Sequence, residues 1–477
     1  MRILYIDMDA CRADHLGCYG YSRQTSPTID AIAAEGVIFS NCFVSDAPCL
    51  PSRTALMLGT FGYRSGCVGH SGTAARPRYM GDGHRWDPSR LPLPAVLATK
   101  AKHHTVTFSP FAERHSAWHF CAGWREIHNS GLRGYETADQ TNALVEPWLQ
   151  AHARQPDWFC HVNYWDPHRP YRTPAGYGNP FETEPPPAWP DAQAIAAQLA
   201  SYGPRSAAEP LGWGQTPTPR EVSAIRGVSD FKTWIDGYDT GIRYLDDHIA
   251  RLIEILKRQG VYDETAIIIS ADHGEQQGEL NVYGDHHCAD LATGHVPLII
   301  RWPGLTQPGR REGLLYQLDL AATICQLLGC DVPEAWDARS FADGLRGADW
   351  SGRDNLVLGQ GAWTCQRAVR HGDYLLIRTY HSGLKPYGEL MLFNVAEDPH
   401  ETMDLASSRP DLVDRLSRIQ LGWQAGFAAG SDAPTDPLID VIREGGPCYV
   451  RGLRERYCDY LRQAGKGWAA DEILARA

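Results

Sequence analysis

Apolar residues along this chain fall into two kinds of run. Ile3-Leu4-Tyr5-Ile6, Ala266 to Ser270 and Leu298 to Arg301 are short and unbroken, the pattern of a strand buried on both faces. Tyr238, Ile242, Leu245, Ile249, Leu252, Ile253 and Leu256 instead recur at helical spacing, and Gly260 closes that stretch. Ser26-Pro27 predicts a helix start, with Ser as N-cap and Pro at the first helical position, and Gly36 marks its stop. Buried strands separated by long amphipathic helices predict an α/β fold with a large central, mainly parallel sheet sandwiched by helices.

Two departures set the domain reading. Between about 172 and 229 the texture turns to Pro, Gly, Ala and Trp, as in Glu184-Pro185-Pro186-Pro187-Ala188-Trp189-Pro190. Neither periodicity holds there, and the segment is expected to act as a lid over a site. After about Asn355, Ala368-Val369-Arg370 and Tyr374 to Arg378 flank the turn His371-Gly372-Asp373, Met391-Leu392-Phe393 adds a strand, and Pro410 to Trp423 reads as helix. The expected division is a domain over 1–354, carrying the Pro-rich insert, and a smaller α+β subdomain over 355–477.

Composition narrows the function. With 43% hydrophobic and 21% charged residues the chain is an ordinary globular protein. A formal charge of −12 argues against a nucleic-acid partner, which needs a basic face. No apolar run is long enough to span a bilayer, and the first strand begins almost at Met1, so a cytoplasmic protein is expected. The 13 cysteines follow no regular spacing and form no CxxC pair, which suits free thiols and argues against a cysteine zinc site.

Polar residues at strand ends carry the candidate chemistry. Asp9 follows the first strand, where ligands bind in open parallel sheets. Asp7 lies two residues back, on the same strand face, and either joins a metal site or pairs with an arginine. Ile267 to Ser270 delivers Asp272 and His273 at its carboxyl end, able to bind the same cation as Asp9. Cys49 sits in a Pro-bearing turn ahead of a helix predicted over Ser52 to Leu58, whose N-terminus favours an oxyanion or an activated nucleophile. His168, in Trp165-Asp166-Pro167-His168-Arg169-Pro170-Tyr171, and His286, in Gly284-Asp285-His286-His287, are candidates to bind an anion or protonate a leaving group. Arg114-His115 and His70 are secondary candidates.

Cys49-Leu50-Pro51-Ser52-Arg53, with Asp9 through Gly20 before it and Asp272-His273-Gly274-Glu275 far behind, resembles the signature of the type I, formylglycine-dependent sulfatases of the alkaline-phosphatase-like superfamily. Pro167-His168 with Pro170-Tyr171 resembles their sulfate-contacting loop, Val296 to Arg301 the strand after the second metal motif, and Leu392-Phe393-Asn394 with Asp398-Pro399 and Leu405 their C-terminal signature. The resemblance implies a hydrolase in which Cys49, oxidised to formylglycine by a formylglycine-generating enzyme, presents an aldehyde hydrate to sulfur. It also implies one divalent metal, Ca2+ first with Mn2+ or Mg2+ as alternatives, held by Asp9, Cys49, Asp272 and His273. Arg53 then stabilises the modified residue, and His168 or His286 protonates the departing alcohol.

Three positions depart from the family pattern. Ala10 replaces a second Asp, Asn or Gln; His273 is the minority choice at its position, shared with phosphonate and phosphodiester hydrolases; and the family's lysines have no clear match, with His286 near the place of one. These motivate phosphonate monoester or phosphodiester hydrolysis as the alternative, and a non-catalytic anion- or glycan-binding relative as a third reading. Trp165, Tyr171, Trp189 and Trp213 are expected to offer flat faces to sugar rings, so the expected substrate is a small sulfated carbohydrate bearing a sulfate ester or sulfamate.

Overall fold

The computed structural model describes residues 1–78, 90–212, 215–347, 350–429 and 435–476; Trp213 lies outside the described residues. Its main sheet is built from β1 (Arg2–Met8), β2 (Val37–Phe39), β3 (His104–Phe108), β4 (Glu126–His128), β5 (Trp158–Tyr164), β6 (Thr265–Ala271), β7 (Leu298–Arg301) and β8 (Gly309–Arg311). Their spatial order is β8-β2-β7-β6-β1-β5-β3-β4. Every neighbouring pair is parallel except those of β7, which runs antiparallel to β6 and β2. The unbroken apolar runs are explained by position: every residue of β5 and β6 is buried, as is β1 after Arg2.

Register then places the candidates. Asp7 pairs with Ser270 and Met8 with Ala271, so Asp9 and Asp272 emerge side by side at the carboxyl edge of β1 and β6. Helices cover the sheet: α1 (Pro27–Ala34), α2 (Cys49–Leu58), α3 (Ala138–His152), α4 (Val228–Arg258) and α5 (Asp319–Leu327). The 31-residue α4 begins ten residues before the apolar spacing shows it. Two of its residues hold site loops in place. The Tyr238 hydroxyl donates to the Ala10 carbonyl at 2.8 Å and accepts from the Arg12 N–H at 2.9 Å. Gly241 lets the backbone of the His168 loop come close, since a Cβ there would lie 2.5 Å from the Asp166 carbonyl oxygen.

The cap of α1 differs from expectation. Ser26 makes no capping bond to the helix; the buried Asp246 carboxylate on α4 accepts the Thr28 and Ile29 N–H groups at 2.9 and 2.8 Å. Ser26 Oγ instead bonds Asp30 and the Gly17 N–H.

A second, antiparallel sheet is formed by β9 (Asn355–Gln360), β10 (Cys365–His371), β11 (Tyr374–His381) and β12 (Leu390–Asn394), with α6 (Pro410–Ala428) against it. A short strand just before Cys49, Asp46–Ala47, joins this sheet parallel to β9. Buried Arg367 on β10 ties the two regions, bonding Asp46 at 3.2 Å and Asp436 at 2.8 Å. The described part of the 172–229 segment is docked, with Tyr202, Ser206, Ala207, Leu211 and Ile225 buried. No helix among the described residues is long and apolar enough to cross a membrane.

Candidate active site

Helix α2 starts at Cys49 itself, three residues earlier than the sequence indicates. Pro51 fits its first turn because a proline there gives up an N–H that has no helical partner anyway. Cys49 and Arg53 are one helical turn apart and share a face, which gives the Cys-x-x-x-Arg spacing its physical meaning. The free N–H of Leu50 is bonded by His70 Nε2 at 3.3 Å, and His70 Nδ1 contacts the Tyr449 hydroxyl at 2.6 Å. His70 thus serves as a cap for the helix end that presents Cys49.

Four ligand atoms, one each from Asp9, Cys49, Asp272 and His273, lie within 4.8 Å of one another, all four residues buried. Cys49 Sγ is 3.0 Å from His273 Nε2. His273 Nδ1 contacts the Gly274 carbonyl at 2.7 Å, so the proton belongs on Nδ1 and Nε2 turns a lone pair to the cluster. Asp272 Oδ1 accepts the Ala10 and His273 N–H groups at 3.0 and 2.9 Å, leaving Oδ2 for the site. Arg53, 2% exposed, bonds Asp7 at 2.6 Å through Nε, and Asp9 and Asp272 at 2.7 and 2.5 Å through one terminal nitrogen.

One guanidinium facing three carboxylates sets their protonation. Burial alone would raise Asp9, but Arg53, His168 and His273 outweigh it and hold its carboxyl well below the usual range. Asp272 goes the other way: burial, with the charges of Asp9 and Asp7, exceeds its share of Arg53. Burial also pushes the Cys49 thiol up, and Asp9 and Asp272 add to the shift. An unmodified Cys49 is therefore a poor nucleophile here.

His168 and His286 flank the cluster. His168 Nδ1 contacts the Arg169 carbonyl, and Nε2 is 3.9 Å from Asp9 Oδ1. Burial lowers its pKa to about 3, Asp9 opposing and Arg114 and Arg172 assisting. His286 lies with its ring 4.4 Å from that of His273, and its Nε2 is 3.5 Å from Asp285. Its Nδ1 is buried with no partner among the described residues, and burial holds the ring neutral.

The family model for sulfatases matches residues 2–330. The chain belongs to the sulfatase family. It is 25% identical to the ulvan-active sulfatase of Formosa agariphila over 480 residues, covering 92% of this chain and 82% of that one. Among solved structures, BT4656 in complex with its substrate D-glucosamine-2-N,6-O-disulfate superposes with a TM-score of 0.71 at 18% identity, covering 91% of this chain and 99% of that one. The phosphonate monoester hydrolase of Agrobacterium radiobacter superposes at 0.64 with 21% identity, covering 89% and 95%. Both share the fold.

Sulfatases, sulfuric ester hydrolases, use a metal and formylglycine, and the residues here fit both. Asp9 Oδ1 is buried without a hydrogen-bond partner among the described residues, and it converges with a second carboxylate and an imidazole lone pair, a donor set suited to a divalent cation. The Cys49 side chain stands against that set at a helix N-terminus. Asp7 stays outside it, held by Arg53 and 3.3 Å from His161, so it does not replace the ligand missing at Ala10. Ala10 takes φ 58°, a left-handed conformation in which Asn and Asp are more at ease than Ala.

Three of the four aromatics expected to face a sugar are engaged in packing among the described residues. Trp165 is fully buried under the guanidinium groups of Arg53 and Arg114, at 5.5 and 4.8 Å from its ring centroid. Tyr171 is buried with its hydroxyl on Glu275 at 2.7 Å, and Trp189 stacks on His400 at 4.1 Å. Packing, rather than a sugar face, uses these rings. Two contributors escaped the sequence reading. Arg172 is four residues from His168 in a Pro-stiffened loop, a signal that was present. Tyr449 arrives from the C-terminal region with no local signal at all.

Proposed function

We propose that this sulfatase cleaves the sulfate ester of a small sulfated carbohydrate, with formylglycine made from Cys49 and Ca2+ held by Asp9, Asp272 and His273. The observation that carries the reading is the convergence of Cys49 with Asp9, Asp272 and His273 at the sheet's carboxyl edge, one helical turn from Arg53. When present, the cation supplies Lewis-acid polarisation of a sulfate oxygen and the aldehyde hydrate supplies an oxygen nucleophile. Arg53, one helical turn from Cys49, compensates part of the charge of the three carboxylates. His286 is the better placed group to protonate the leaving alcohol once it has itself gained a proton, because Asp285, 3.5 Å from its Nε2, works against burial to stabilise the imidazolium, and its Nδ1 has no other partner among the described residues. His168, fixed through Nδ1 by the Arg169 carbonyl, has its Nε2 3.9 Å from Asp9, where it could donate to a sulfate oxygen. The carbohydrate is supported by the ulvan-active relative and by the disulfated glucosamine bound to the structural neighbour.

A second reading, phosphonate monoester or phosphodiester hydrolysis, draws on His273 and on the absence of any lysine bonded to the four-residue cluster among the described residues. Comparing kcat/KM for an aryl sulfate and a phenyl phosphonate ester separates the two. The expected preference for sulfate is above about a hundredfold, roughly 2.7 kcal/mol of differential transition-state binding. An equal preference for the phosphonate would overturn the sulfatase specificity.

A further inference from the structure

Two arginines stand beside the site without a carboxylate of their own. Among the described residues neither Arg114 nor Arg172 forms a carboxylate ion pair, and both hold partly buried positions near His168. The loop 131–135 sets their places. Its Arg133 carbonyl accepts from Arg114 at 3.0 Å, and its next carbonyl, Gly134, accepts from Arg172 at 3.1 Å. Gly134 permits this approach: its φ is +80°, and a Cβ there would meet Arg114 at 2.8 Å and Trp165 at 3.2 Å. The following side chain, Tyr135, is 59% exposed and carries both cations, with guanidinium carbons 5.6 and 5.1 Å from its ring centroid.

The pair connects directly to the reaction centre. Arg114 and Arg53 share the Trp165 ring, and Arg172 also donates to the His168 carbonyl at 3.4 Å. The carboxylates within electrostatic range make no ion pair with them: Asp9 bonds Arg53, and Asp166, which Arg172 feels as a charge, accepts the Ala138 N–H at 2.9 Å through one oxygen while burial holds its carboxyl up to about 7. Arg172 Nε is buried with no partner among the described residues. Two adjacent guanidinium groups with no ion-pair partner among the described residues are costly for a protein to maintain unless an anion completes them.

Resting on the sulfatase reading above, we propose that Arg114 and Arg172 form a second anion subsite, so that the preferred substrate carries a carboxylate or another sulfate next to the sulfate ester that is cleaved. The test compares kcat/KM of formylglycine-bearing enzyme on three probes: a hexose mono-O-sulfate, the matching hexuronate O-sulfate, and the hexose di-O-sulfate. The last two arms distinguish carboxylate from sulfate. At least one doubly anionic probe should exceed the neutral-sugar probe tenfold or more, mainly through KM, and Arg172→Gln should bring that ratio to about one. Arg172→Lys, which keeps the charge, should retain part of it. The wild-type ratio should also fall as salt is raised, a readout that stands even where Arg172→Gln fails to fold. A wild-type ratio near one, or a ratio untouched by Arg172→Gln and by salt, would overturn this inference alone. No turnover of any probe would overturn it together with the sulfatase reading.

Discussion

Arg53 offers one positive charge to Asp7, Asp9 and Asp272, all nearly inaccessible to water. Removing it leaves three buried carboxylates facing one another, a loss of about 3–5 kcal/mol by comparison with other broken buried ion pairs. The Arg53→Met variant should therefore melt well below wild type in chelator. Added Ca2+ should raise its Tm more than it raises the wild type's, because the cation then compensates charge that no side chain does. Equal melting temperatures and equal Ca2+ shifts in the two proteins would show that Arg53 is not the compensating charge. Ala10 teaches the complementary lesson. Its sequence position flags a missing ligand, yet Asp7 is not among the clustered ligand atoms, being held by Arg53 and His161.

At the scale of elements, the short apolar strands and the Cys-x-Pro-Ser-Arg turn were legible because each is decided locally. A strand buried on both faces leaves an unbroken apolar run, and a cysteine with an arginine one helical turn on leaves a fixed spacing. What could not be read depends on contacts between distant segments. Asp246 caps α1 from another helix, Tyr449 braces His70 from the C-terminal region, and Trp165, Tyr171 and Trp189 are engaged by packing. The 172–229 insert is the largest such case. Its Arg205 reaches Asp285 at 3.1 Å, and Asp285 in turn faces His286 and His287 at 3.5 and 3.8 Å. Arg205→Ala should free Asp285 and loosen His286, lowering kcat by about tenfold or more while KM changes little, provided His286 supplies the proton. An unchanged kcat would mean that the insert only packs against this wall.

Across the whole molecule, buried polar ties add to the apolar contact that joins the two sheets. Arg367 links the turn before Cys49 to β10, and Lys385, 1% exposed, donates from Nζ to the Asn281 carbonyl at 2.5 Å, joining the C-terminal region to the loop that leads to His286. Burial lowers the Lys385 pKa to about 7. Between that value and the ordinary lysine range near 10.4 the unfolded chain binds a proton that the folded chain does not. Stability should thus rise with pH from about 7 to 10 through this group and fall as the pH returns. Lys385→Met should flatten that component, seen as a smaller change in Tm between about pH 7 and 9 than wild type shows. Identical pH profiles would mean that Lys385 is charged in the folded protein.

The account turns on Cys49 serving as the precursor of the nucleophile rather than as the nucleophile, since burial and two neighbouring carboxylates suppress its thiolate. The most direct measurement is peptide mass spectrometry of the tryptic fragment containing Cys49, from protein co-expressed with a formylglycine-generating enzyme and assayed in parallel on an aryl sulfate. The fragment should lose about 18 Da, the change from cysteine to aldehyde, and the modified fraction should track specific activity from one preparation to the next. A fully active preparation whose Cys49 carries no mass change would contradict the account.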